Sequence, residues 1–284
     1  MSYRTRPGHP LRRSAWILQG IVLAALLVPF TVSCGSEESE KNRETSDPPQ
    51  VAQSIDNSDW DRQLQIYVNA AGRVAYKDWY RDDYDSLERY LLQLAEANPS
   101  HWPASEQLTF WINAYNAGTI WAVFQGRSAE SLLGRGKLFK FWKFEVAGKT
   151  RSLEEVEHKI LRKQFQEPRI HFAIVCASTS CPPLRAESYE AARIDAQLQE
   201  QAVRFLNDAS RNQFDQAEAR IRLSKIFDWF SEDFERNGSR LQFVAAFVAD
   251  PKIRAWLETG AGGAKTDFLS YDWTLNAQEG QRPR

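Results

Sequence analysis

The chain has 284 residues with 36 Lys and Arg against 37 Asp and Glu, a formal net charge of -1. Such a balance gives no basic surplus for nucleic acid and no acidic tail, so no nucleic-acid partner is expected. Aromatic residues make up 12% of the chain and include ten Trp, ample material for a core, and only three Cys are present: Cys34, Cys176 and Cys181.

The first stretch reads as a targeting signal, not as fold. Arg4, Arg6, Arg12 and Arg13 precede an apolar run from Ala15 to Val32, a basic n-region followed by an h-region. It ends Thr31-Val-Ser-Cys34-Gly35, which resembles a bacterial lipoprotein signal with Cys34 as the lipidated first residue. The expectation is a signal peptide over 1–34 and a membrane contact through N-terminal lipid; the alternative is an uncleaved anchor. Residues 35–58 are rich in Ser, Glu, Asn, Asp and Pro and read as a flexible tether. No second linker follows, so 59–284 is expected to be one globular domain facing the periplasm or exterior.

Trp60 to Tyr67 has the pattern of a helix, and Gly72 to Tyr76 that of a turn with a short extended piece. Between Asp83 and Ala97, Leu87, Tyr90, Leu91 and Leu94 recur at helical spacing, and Asn98-Pro99 closes the pattern. Glu106 to Phe124 is apolar nearly all round and is predicted to be a central helix. Asn113 and Asn116 lie three apart on it and must find partners, because an unpaired buried amide costs roughly 1–3 kcal/mol. They either hold the backbone of neighbouring loops or orient a substrate or a catalytic His. Phe139 to Val146 alternates aromatic and basic residues, predicting a half-buried strand of a hairpin with Thr150-Arg-Ser.

Ser152-Leu-Glu-Glu155 is a capping box, and its helix should run to about Phe165. It carries Glu157 and His158, with Arg162 one turn after the histidine, a neighbour that favours neutral imidazole. The apolar run Ile170 to Val175, with His171 near its start, predicts a buried strand that delivers Cys176 and Cys181 into a loop. Beyond it, helices are expected over Asp195–Asn207, Lys225–Arg236 and Leu241–Val248, a strand over Arg220–Leu223, and a final extended segment over Phe268–Asn276.

Several chemistries compete for the two downstream cysteines. One is a disulfide staple. Another is a thiol nucleophile with an imidazole base. Of the histidines beyond the signal, His101, His158 and His171, the last two are candidates, and Asn113, Asn116 or Asp272 could orient the base. The spacing His171-x4-Cys176-x4-Cys181 fits no strong zinc signature, and the pair lacks the short C-x-x-C spacing of thioredoxin-like sites. Neither a metal nor a cofactor is assigned.

Four blocks carry a family resemblance: Phe110-Trp-Ile-Asn-Ala-Tyr-Asn-Ala117; Ser152 to His158 with Leu161-Arg162; Arg169 to Cys176 with Ser180-Cys-Pro-Pro183; and Tyr271-Asp-Trp-Thr-Leu-Asn276. In this order they resemble domain-of-unknown-function family 547. The resemblance implies a widespread domain, secreted or lipid-anchored in bacteria and fused in eukaryotes to other modules, including glutaredoxin-like ones. It implies no established reaction. The family's recurring polar residues map to Asn113, Asn116, Glu157, His158, His171, Cys176, Ser180 and Cys181, and the chain departs from the pattern at Gly118, where Leu is expected.

The expected fold is α+β, a mostly helical domain around a small sheet, with a papain- or transglutaminase-like core conceivable. The expected function is a cell-envelope lipoprotein with a cysteine-dependent hydrolase or acyl-transferase site. Cys181 is the expected nucleophile, His171 or His158 the base, Asn113 or Asn116 the orienting amide, and Glu157 and Cys176 complete the candidate set. The substrate is unknown. The alternative is a non-enzymatic envelope binding or scaffold domain stapled by a Cys176–Cys181 disulfide.

Overall fold

The computed structural model of the chain describes residues 54–283. The expected signal peptide with Cys34, and the expected tether up to residue 53, lie outside the described residues. The fold class is α+β: helices dominate, beside a two-stranded and a three-stranded sheet.

The Ala104–Phe124 helix is the centre of the first half. Its sequence is apolar on every side, and burial follows suit, from Leu108 through Ile112 and Tyr115 to Phe124. Around it pack the helices Ser58–Tyr67, Tyr76–Asp82 and Tyr84–Glu96, which contribute Trp60, Trp79 and Tyr90 as one aromatic stack. A hairpin of Lys143–Val146 and Lys149–Ser152 closes this side in antiparallel register. It explains Gly118: a Cβ there would come within 2.9 Å of the Phe144 ring. The helix gives up propensity at that point so that the strand can lie against it.

The second half has its own apolar cluster, with Phe172, Phe205, Phe227, Phe234, Val244 and Leu257 fully or almost fully buried. The helix Ile194–Leu206 supplies one wall. The three-stranded sheet runs in the order Gln213–Asp215, Arg220–Leu223, Lys265–Phe268, the first pair antiparallel and the second parallel. Lys225 to Arg236 is not one helix but two short ones, Ile226–Trp229 and Ser231–Phe234, broken at Phe230.

The predicted buried strand over Ile170–Val175 is not a strand. Pro168–Phe172 forms a 3₁₀ turn, followed by irregular backbone. The apolar run is buried because it lies between the two clusters, with Ile170 and Ala173 in the first and Phe172 in the second. Its backbone is satisfied by side chains instead of a ladder. Asn116 Nδ2 donates to the Ala173 carbonyl at 3.0 Å, its Oδ1 accepts from the Val175 N–H at 3.0 Å, and Gln201 Nε2 donates to the Phe172 carbonyl at 3.2 Å. The predicted half-buried strand from Phe139 also starts later than expected. Residues Lys137–Phe141 form a single wide turn of π pitch, and only Lys143–Val146 is extended.

Candidate functional site

The two cysteines are brought together by a loop whose geometry is set at Ala177. That residue has φ +56°, a left-handed conformation that costs a non-glycine residue about 1 kcal/mol or more. The turn folds Cys181 back so that its sulfur accepts the backbone N–H of Cys176 at 2.7 Å. Gly72 then packs under Pro183, where any Cβ would lie 2.4 Å from the proline's own. The final extended segment docks on the outside of this loop. Thr179 N–H donates to the Thr274 carbonyl at 2.7 Å, Asn276 N–H to the Ala177 carbonyl at 3.2 Å, and Asp272 N–H to Ser180 Oγ at 2.9 Å.

Both thiols are free. They are not equivalent, and their order is the reverse of the one expected from the sequence. Cys181, the expected exposed nucleophile, is 4% exposed. Cys176 is the partly exposed one. Its sulfur lies 2.9 Å from Ser178 Oγ and 3.2 Å from the Tyr271 hydroxyl. Burial opposes charge on Cys176, but the Cys181 thiol and the Ser178 and Tyr271 hydroxyls together hold its pKa below the ordinary thiol value. Burial and the neighbouring Cys176 push the Cys181 thiol well above that value. Burial likewise keeps the Tyr271 phenol protonated, so it stays a donor to a Cys176 thiolate.

The imidazoles do not join this pair. Among the described residues, no hydrogen bond connects a histidine to either sulfur. His171 is buried and stacks on Phe230 with ring centroids 4.0 Å apart. Its Nε2 meets Asp233 Oδ2 at 2.8 Å, and the same carboxylate accepts Arg162 Nε at 2.6 Å and Arg236 at 3.0 Å. Two arginines already compensate Asp233, so burial prevails and lowers the His171 pKa. The imidazole is neutral and donates Nε2–H to the carboxylate. Arg162 also donates to His158 Nδ1 at 2.7 Å. Burial and that guanidinium lower the His158 pKa, leaving the histidine neutral with its proton on Nε2.

Asn113 and Asn116 are engaged with backbone. Asn113 pairs with both the N–H and the carbonyl of Tyr189, at 3.0 and 2.9 Å, a side-chain copy of a strand pair. Glu157 accepts from the Tyr115 hydroxyl at 3.1 Å. Burial raises its pKa to about 7. Burial and the Glu157 carboxylate keep the Tyr115 phenol protonated. Tyr271, Ser178 and Asp233 are the site residues that sequence reasoning missed as such; Tyr271 and Ser178 each fall in or beside a quoted family block, which was the available signal.

Cys181, but not Cys176, lines a cleft of about 200 Å³ together with Asn276, Arg73, Arg204 and Arg211 among others. Arg211 donates to the Cys181 carbonyl at 3.0 Å. Among the described residues no group of three or more His, Cys, Asp or Glu is arranged to hold a metal ion, and no helix is long and apolar enough to cross a membrane.

The fold and site define an α+β domain with an asymmetric dithiol and, separately, a buried His–Asp–Arg network. Residues 99–206, which include the central helix, both asparagines and both thiols, match the model of the family described as a protein of unknown function, DUF547. Comparison with curated proteins and with solved structures gave no match.

Proposed function

We propose that this chain is a cell-envelope lipoprotein, held by lipid on Cys34, whose domain carries out thiol–disulfide exchange with Cys176 as nucleophile and Cys181 as resolving thiol. The observation that carries the reading is the geometry of two unlike thiols: the Cys181 sulfur accepts the Cys176 N–H at 2.7 Å, while the Cys176 sulfur alone has the Ser178 and Tyr271 hydroxyls at 2.9 and 3.2 Å. The nucleophile in such exchange is the thiolate, and a partner thiol of higher pKa completes the cycle.

In the first step the Cys176 thiolate attacks one sulfur of a substrate disulfide. The substrate S–S bond breaks, a mixed disulfide forms on Cys176, and the departing thiolate takes a proton. Cys181 then loses its proton to solvent, and its sulfur attacks the Cys176 sulfur. The second substrate thiolate leaves, the substrate is reduced by two electrons, and a Cys176–Cys181 disulfide remains. The reverse sequence, with a reduced dithiol or two thiols that leave as a disulfide, returns the pair to its starting state. Hydrolysis or acyl transfer, the reading favoured by the sequence, gains less support, because it requires a base for the thiol proton and neither His158 nor His171 reaches a sulfur.

The test is mild oxidation of the purified chain in a Cys34→Ser background. The reading expects an intramolecular disulfide that forms without loss of fold and is absent in Cys176→Ser and in Cys181→Ser. Oxidation that yields only intermolecular dimers or sulfonic acid contradicts it.

A further inference from the structure

The most exposed of the large apolar side chains fall in one segment. Among the described residues, the three most exposed are Phe141 at 74%, Leu133 at 68% and Leu132 at 79%. All three belong to the segment between the central helix and the first hairpin. Its short helix Leu132–Gly136 is capped by Ser131, whose Oγ accepts the Gly134 N–H at 2.9 Å, and runs into the π turn Lys137–Phe141. Leu138 is fully buried and pins the turn to the core, while Trp142 stacks on Phe144 at 5.4 Å. The segment is therefore held in place, and the three apolar groups project from a fixed base.

The charge along this segment is one-sided. Residues 127–143 contain Arg127, Arg135, Lys137, Lys140 and Lys143 against Glu130 alone, in a chain whose formal net charge is -1. Lys137, Lys140 and Lys143 are exposed. Arg135 lies over the Trp273 ring at 4.5 Å, and Lys140 reaches Glu154 at 3.3 Å. Lys140 and Lys143, which flank Phe141, also line an open cleft of about 410 Å³ with Lys159 and His158, shared with Glu154 and Glu155.

We infer that residues 127–143 form a docking surface for an anionic lipid bilayer, with Leu132, Leu133 and Phe141 entering the interface and the flanking lysines contacting headgroup phosphates. Apolar prongs flanked by basic residues are the pattern of interfacial membrane contact. A second copy of the chain is the poorer occupant, because it would bring the same positive charge against this face. The inference stands apart from the anchor on Cys34: it concerns how the folded domain meets the membrane, whatever holds the N-terminus.

The experiment is hydrogen–deuterium exchange on the full chain with phosphatidylglycerol-containing vesicles, with pure phosphatidylcholine vesicles, and alone at low and high protein concentration. Anionic vesicles are expected to slow exchange severalfold in peptides covering 130–143, with little effect from neutral vesicles. Leu133→Ser with Phe141→Ser should abolish the effect. Lys137→Ser should weaken it about fivefold, the equivalent of ~1 kcal/mol for one basic residue near an anionic surface. Unchanged exchange in the Ala104–Phe124 helix shows that the variants are folded. Vesicle binding without slowing in 130–143 overturns the inference, as does equal slowing on neutral vesicles. Slowing that follows protein concentration without lipid assigns the face to a second copy and overturns it too.

Discussion

Cys176 and Tyr271, 95 positions apart in the chain, meet at 3.2 Å between sulfur and phenol oxygen. The contact couples the reactive thiol to the docked C-terminal segment. A Cys176 thiolate accepts a hydrogen bond from the phenol, so the hydroxyl favours the charged form. Tyr271→Phe keeps the ring against Trp229 and Trp273, whose centroids lie 4.8 and 4.5 Å away, and removes only the donor. The pH midpoint for alkylation of Cys176 should move upward in this variant. Cys181→Ser retains a donor and should move it less.

The amide of Asn116 replaces a sheet partner for the Ala173–Val175 backbone. Asn116→Ala leaves a carbonyl and an N–H buried and unpaired, and should cost about 3 kcal/mol in urea unfolding. Gln at this position, one methylene longer, should recover only part of that. A loss below about 0.5 kcal/mol would mean that the loop finds other partners.

Glu157 makes stability depend on pH in the less common direction. Its folded pKa, raised by burial to about 7, lies above the ordinary carboxyl value. The folded state therefore holds a proton that the unfolded state has released, and stability present at low pH is lost as pH rises through about 7. Glu157→Gln keeps an acceptor for Tyr115 and removes the titration. It should be more stable than the parent by roughly 2 kcal/mol at pH 8 and nearly equal to it at pH 4. Parallel curves for the two proteins would contradict this assignment.

Asp233 acts with the opposite sign. Burial opposes its charge, but His171 and Arg162 hold its pKa well below the usual carboxylate range. His171, neutral and buried, has its pKa lowered. Both groups contribute stability above their unfolded-state values that is lost as pH falls: His171 as pH drops below about 6.5, and Asp233 below about 4. Asp233→Asn should cost about 3 kcal/mol at pH 7, since it leaves Arg162 and Arg236 facing a neutral amide, and the deficit should shrink toward pH 3.

What the sequence disclosed was mostly local. The capping box reads directly from Ser152 and Glu155, which bond each other's backbone at 3.2 and 3.0 Å. The Ala104–Phe124 helix announces itself by being apolar on every face, and Arg162 beside His158 follows from helical spacing. What failed depended on distant partners. The apolar run at Ile170 looks like a strand because strands and inter-core loops have the same composition, and only Asn116 and Gln201 decide between them. The order of the two thiols was reversed for the same reason. Residues 271–276 cover the loop and, with the turn at Ala177, leave Cys176 partly exposed and Cys181 buried.

The central claim is tested most directly by trapping. The chain in a Cys34→Ser, Cys181→Ser background is incubated with a small aromatic disulfide, and the adduct is mapped by mass spectrometry. A stable mixed disulfide on Cys176 is predicted, one that the chain with Cys181 intact resolves to an internal disulfide. An unmodified Cys176 in the folded protein, or an adduct on Cys181 when Cys176 is replaced at the same rate as on Cys176 itself, would contradict it.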